Sequence, residues 1–234
     1  GYVFVEAGAC INIEAGTVIR GISTPTTGDG SSALIISKGG QIKATGTVDA
    51  PIIFTSEFDT ELDNNDDLTK DDKGLWCGII ILGNGIVGVD GGVQNVEGIP
   101  STEGRAEYGG TDNADNSGIL TYVSIRHGGA KLEANNEING LTLAGVGSAT
   151  TIDYVEVFAN LDDGIEFFGG TAEVKHALVA NVGDDSFDYD EGFRGKGQFW
   201  VSVNPGDRNG EHDGGTSPED GEPYATPTIY NASY

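Results

Sequence analysis

The chain has 234 residues, 37% of them hydrophobic, which allows a sizeable core and argues against wholesale disorder. Thirty-seven acids against 12 bases give a net charge of −25, which disfavours nucleic acid and anionic membrane surfaces and favours multivalent cations as partners. No run approaches the roughly 20 apolar residues of a membrane span, and two cysteines, Cys10 and Cys77, are too few for a disulfide framework.

Helical periodicity is nearly absent, and short β-branched runs punctuated by Gly, Asp and Asn replace it. From the N-terminus, "VFVEAGACINIEAGTVIRG" and "ALIISKGGQIKATGTVDAPIIFTS" read as two successive turns of strands with glycine corners at EAG and KGG. A first insertion, 57–73, carries eight acids and two lysines. The strand-like "GIIIL" follows, and then "GNGIVG", a literal GxGxxG at 83–88. Its sequel "VDGGVQNVEGIP" cannot open the helix a dinucleotide site requires, so the match is chance. A second insertion, 89–117, is rich in Gly, Asn and Asp. In repeat proteins such insertions form loops outside the stack, where binding functions sit.

The second half repeats. "TTIDYVEVFANLDDGIEFFGG" (150–170) superimposes on "AEVKHALVANVGDDSFDYDEG" (172–192) at an offset of 22 residues, placing Val155 on Ala177, Val157 on Val179 and Phe167 on Tyr189. "LTYVSIRHGG" from Leu120 is a looser earlier copy, with Tyr122 on Tyr154. Twenty-two residues suit one coil of a solenoid, whereas propeller blades need about 40 and an antiparallel sandwich gives no reason for the register. The predicted fold is therefore all-β: one single-stranded right-handed parallel β-helix over 1–234, with coils of about 22 residues and loop insertions at 57–73 and 89–117. A start at Gly1 without Met, and the strand-like end "TPTIYNASY", suggest a segment of a longer chain.

The same register stacks Asp162 on Asp184, Asp163 on Asp185 and Glu166 on Asp188, with no opposite charge in the columns. Two carboxylates about 5 Å apart repel by roughly 1 kcal/mol in water and several-fold more when partly buried. Three explanations are open: protonation of one member of each pair, a hard cation such as Ca²⁺ held by oxygen ligands, or Asp used to build tight corners. Asp190 and Glu191 in "DYDEG" extend the cluster, and Asp207, Asn209 and Glu211 alternate on the next loop as oxygen ligands do. The expected cofactor is structural Ca²⁺ on these eleven residues. Neither "DRNGEHDGG" nor the acidic loop from Asp63 is an EF-hand, since His212 and Leu68 occupy the position that must be Gly.

His127, His176 and His212 form no HxH or HExxH, so a zinc site is not expected. His176 aligns with Tyr154 and Tyr122 at positions that point outward or cap a stack. The two cysteines form either one bridge or two separately buried thiols.

"INIEAGTVIRG", "GLWCGIIILGNG", "EGRAEYGG", "SGILTYVSIRHGGA" and "DDSFDYDEGFRGKGQFW" together resemble large secreted surface proteins of the Bacteroidota, many of them type IX secretion substrates. The resemblance covers nearly the whole chain and implies a right-handed parallel β-helix at or beyond the cell surface. Cys77 stands where that family carries GLWGG, which the resemblance links to a bridge with Cys10. The chain is also similar to polygalacturonases: Asn160-Leu161-Asp162 is followed one coil later by Gly183-Asp184-Asp185, and His212 lies further on. That similarity implies catalysis by Asp162, Asp184, Asp185 and His212, with two carboxylates about 6.5–9.5 Å apart across a water as in inverting glycosidases. Departures are EHD in place of GHG and no Arg-Ile-Lys after His212.

The expected function is an extracellular structural or adhesive β-helix, stabilised by Ca²⁺, that self-associates or meets other surface proteins in a layer or fibre. The alternative is a polysaccharide-active enzyme or a carbohydrate-binding module, the latter with Trp76, Trp200, Phe168 and Tyr189 as a platform if they are not core.

Overall fold

The computed structural model describes residues 1–62, 67–131, 138–215 and 218–234. Its strands wind in successive coils. The first holds β1 (Tyr2–Val5), β2 (Cys10–Ile13) and β3 (Val18–Gly21); the second holds β4 (Ala33–Ile36), β5 (Gln41–Thr45) and β6 (Ile52–Ser56). Next comes β7 (Gly78–Leu82), then a short pair β8 (Gln94–Asn95) and β9 (Glu107–Tyr108), then β10 (Gly118–Arg126). The remaining coils are β11 (Leu141–Ala144) with β12 (Thr151–Phe158), β13 (Ile165–Phe168) with β14 (Glu173–Ala180), β15 (Phe187–Asp190) with β16 (Lys196–Val203), and β17 (Glu211–His212) with β18 (Thr228–Tyr230).

One seven-stranded sheet, in the order β1-β4-β7-β11-β13-β15-β17, forms the first face. The other strands form two faces that merge at a corner, because β10 pairs in parallel with β5 through its first half and with β6 through its second. All pairs except β8–β9 are parallel, and the 22-residue register appears as read: Thr151 beside Glu173 and Glu166 beside Asp188. The chain is a parallel β-helix.

The merged corner has a local cause. Tyr122, Tyr154, His176 and Phe199 take positive φ values of 50°, 53°, 46° and 59°. One left-handed residue breaks the two-residue alternation, so Ile152 and Val155, three apart, both point inward. The four side chains then stack on the outside, with ring centroids 4.5, 4.2 and 4.9 Å apart. His176 thus stands in an outward stack with both tyrosines, as expected.

Inside, Phe167, Phe187, Phe193 and Trp200 stack among the inner aliphatic columns. Trp76 and Trp200 are core, Phe168 is buried under the second insertion, and Tyr189 is half-buried, so these four build no exposed platform. Both expected insertions are present, although 63–66 of the first lie outside the described residues. A third long connection, 127–140, was not separated by the repeat, and 132–137 of it also lie outside that description. No bridge joins the cysteines: Cys10 is exposed, Cys77 is buried, and both are free.

Candidate functional site

Alternation on the first face decides what lies outside it. One outward column runs Phe4, Ile35, Ile80, Thr142, Glu166, Asp188, Glu211 along the axis. Its apolar start lies beneath the second insertion, whose Val89, Val96, Ile99 and Tyr108 pack with Ile35, Ile80, Leu82 and Phe168. Its acidic end is open. There a pocket of about 400 Å³ is lined by Glu97, Asn139, Asp162, Asp163, Glu166, Asp184, Asp188 and Glu211. Seven of the eight are carboxylates, and none of the described lining residues is basic or carries sulfur or imidazole.

The corner before the acidic strands is built by the aspartates themselves. Asp163 Oδ1 accepts the backbone N–H of Asp185 at 2.8 Å, and Asp185 Oδ1 accepts that of Arg208 at 2.5 Å. Each carboxylate therefore satisfies a donor one coil further on. Gly164 makes the approach possible, because a Cβ there would lie 2.6 Å from the carbonyl oxygen of Ser186. Asn160 holds the same corner, its amide donating to Asp163 O at 2.7 Å.

Deeper in the pocket, oxygen atoms of Asp163, Glu166 and Asp188 lie within 4.8 Å of one another. At that separation two full charges repel by about 3 to 4 kcal/mol at an effective dielectric constant near 20. Burial, aided by Asp162 and Asp188, pushes Asp163 up to about 9. Burial with Asp190 and Glu211 pushes Asp188 up to about 8. Burial and the nearby Glu97 hold Glu166 well above the usual carboxylate range. The Asn139 amide donates to Glu166, and no described partner meets Asn139 Oδ1 or Asp188 Oδ1, both shut off from solvent. Convergent hard oxygens, two of them unsatisfied, fit a cation of the Ca²⁺ type, which accepts six to eight oxygens in flexible geometry.

The remaining expected residues fall in several places. Asp184 also groups with Asp185 and Asp207, and Arg208 pairs with Asp207 at 3.0 Å, Glu211 at 3.0 Å and Asp185 at 3.5 Å. Asn209 accepts from Ser202 at 2.9 Å, a structural bond away from the pocket lining. Asp190 flanks the pocket on the outer face, beside Phe168 in register. Glu191 turns away at a left-handed corner (φ 48°) and accepts from Tyr108 at 2.8 Å and from Gln94 at 3.0 Å. It anchors the second insertion. His212 is paired in register with inward-facing Tyr189 and stacks on its ring at 4.5 Å, so it lies on the Tyr189 side of the strand, exposed to solvent, and is not among the residues that line the pocket with Asp162 and Asp184.

Sequence reasoning missed Glu97 and Asn139. Asn139 is buried and lies just before β11, where a shift of 24 residues precedes the regular 22. A spare Asn before "GLTL" was its only signal. Glu97 comes from the insertion, outside any repeat.

A family model described as a pectate-lyase-like β-helix domain matches residues 1–234. No curated protein and no solved structure matches the chain significantly.

Proposed function

We propose that this chain, which belongs to the pectate-lyase-like β-helix domain family over its whole length, is an extracellular structural or adhesive element whose acidic face is neutralised by bound Ca²⁺. The observation that carries this reading is the pocket of seven carboxylates with the two solvent-excluded oxygens of Asn139 and Asp188. Asn139, Asp163, Glu166 and Asp188 would hold the ion. It would link the connection before β11 to the β13 and β15 coils and replace repulsion between adjacent coils with shared coordination. The shaft would then present the insertions to other surface proteins or to copies of itself.

The test is thermal unfolding in EGTA and in millimolar Ca²⁺, on the wild type and on Asp163→Asn/Asp188→Asn. A ligand specific for the native state raises stability by about 2.7 kcal/mol at 100 times its Kd. A rise in midpoint of several degrees, absent in the double variant, is expected. No Ca²⁺ response in the wild type would sink the cation reading.

A second reading, a polysaccharide-active protein, is favoured by the family and by a cleft of about 700 Å³ that shares Glu97 with the pocket. Against it, His212 is not among the residues that line the acidic pocket. Within the outward aromatic stack, Tyr154 and His176 are covered by a neighbouring ring on each face. Turnover of uronate polymers by the purified chain would establish this reading over the first.

A further inference from the structure

The second insertion is fixed to the body at several points. Gln94 and Tyr108 hold Glu191, Lys38 pairs with Glu107 at 2.5 Å, and Arg105 reaches Glu6 at 3.3 Å and lies over the Phe4 ring at 3.9 Å. Between these anchors, 95–102 forms one wall of the 700 Å³ cleft, opposite Tyr2 and 28–30. Glu97 stands at the junction, exposed to solvent and lining both the cleft and the acidic pocket.

There it meets the pocket through Asn139. The Glu97 carboxylate lies 3.5 Å from the Asn139 amide nitrogen, the same nitrogen that donates to Glu166. Two carboxyl groups from distant parts of the chain thus converge on one neutral donor. The oxygen of that amide and one oxygen of Asp188, both on residues that line the pocket, are buried without described partners. A divalent ion between these groups would take the place of their protons and give them one shared ligand set.

We propose that Glu97 is a ligand of the cation held by Asn139, Asp163, Glu166 and Asp188, so that Ca²⁺ binding clasps 95–102 onto the first face and shapes the adjoining cleft. This rests on the cation reading of the pocket. The ion is then more than a staple between coils: it couples the surface most suited to meeting a partner to the extracellular Ca²⁺ level. Binding of a ligand in the cleft and binding of Ca²⁺ become reciprocally linked.

Hydrogen exchange of the 96–102 amides, with calorimetric Ca²⁺ binding on the same samples, tests the clasp in the wild type and in Glu97→Gln. Glu97 is exposed, and the amides of β14 and β16 serve as an internal check that the variant is folded. Wild type is expected to bind Ca²⁺ and to slow exchange of 96–102 at least tenfold. Glu97→Gln is expected to bind several-fold more weakly and to show no such slowing when saturated. Binding by wild type without protection of 96–102, or equal protection in Glu97→Gln, would overturn the clasp while leaving the cation site standing. Absence of Ca²⁺ binding by wild type would overturn both.

Discussion

Glu191 provides a quantitative test of how the second insertion is held. Its side chain is buried, and burial with the charge of Asp190 pushes it up to about 7, despite hydrogen bonds from Tyr108 and Gln94 that oppose the shift. In the unfolded chain a glutamate titrates near 4.3. Between these values the folded state holds a proton that the unfolded state has released, so stability falls as pH rises. The contribution is fully present below about pH 4, declines by up to about 1.4 kcal/mol per pH unit, and is gone above pH 7. The total is about 4 kcal/mol from a shift of roughly 2.7 units, of which about 3 kcal/mol falls above pH 4.5. Glu191→Gln removes the titration and keeps both contacts, since the Tyr108 hydroxyl can turn to accept from the amide. Urea unfolding in EGTA from pH 4.5 to 8.5 should therefore show the variant gaining on wild type by about 3 kcal/mol across the range, worth roughly 6–12 °C for a domain of this size. A difference between the two that stays flat with pH would refute the assignment of Glu191 as a buried, proton-holding anchor.

Three further outcomes follow from particular contacts. Trp200→Ala removes an indole stacked on Phe187 at 4.5 Å and bonded to Val174 O at 3.1 Å, and should cost about 3–5 kcal/mol in denaturant unfolding. Asp185→Ala strands the Arg208 N–H and should cost about 1–3 kcal/mol, whereas Asp185→Asn keeps an acceptor and should cost much less in the same assay. In the native protein a thiol reagent such as DTNB should label Cys10 alone. Cys77 is fully buried, with its thiol pushed up to about 12 by burial, and should react only in denaturant.

The shaft was legible because stacking imposes a period. Where coils follow without interruption, Phe167 on Tyr189 and Val157 on Val179 can be read directly, and strand pairing reproduces both. The acidic columns were legible on the same ground. What escaped lies where the period is broken or where direction matters more than position. Glu97 returns to the site from an insertion, by tertiary packing of Val96 and Ile99 that no repeat encodes. His212 follows Glu211 immediately, and the strand alternation that sends Glu211 outward sends His212 to the Tyr189 side. Proximity in sequence suggested a shared site where the pleat separates them. Glu191 leaves the acidic cluster for a similar reason, since a left-handed corner re-aims its side chain.

Stacking like charges at a fixed offset has a physical explanation in the two oxygens of each carboxylate. Asp163 uses one oxygen to satisfy a buried backbone N–H in the next coil, as Asp185 does for the coil after that. An uncharged Asn could accept the same bond, so corner building alone does not require acids. On the side of Asp163 that faces the pocket, Glu166 and Asp188 lie close by, and there the proposed cation would give the negative charge a separate use. A column of aspartates can thus terminate one coil and offer cation ligands to its neighbour without a dedicated loop. Turn formation and cation binding then stop being rival explanations. They also become separable by experiment: Asp163→Asn should retain most of the stability measured in EGTA while losing the increment that Ca²⁺ adds. If instead Asp163→Asn lost its stability equally with and without the ion, the charge would serve only the corner, and the pocket would have no role for it.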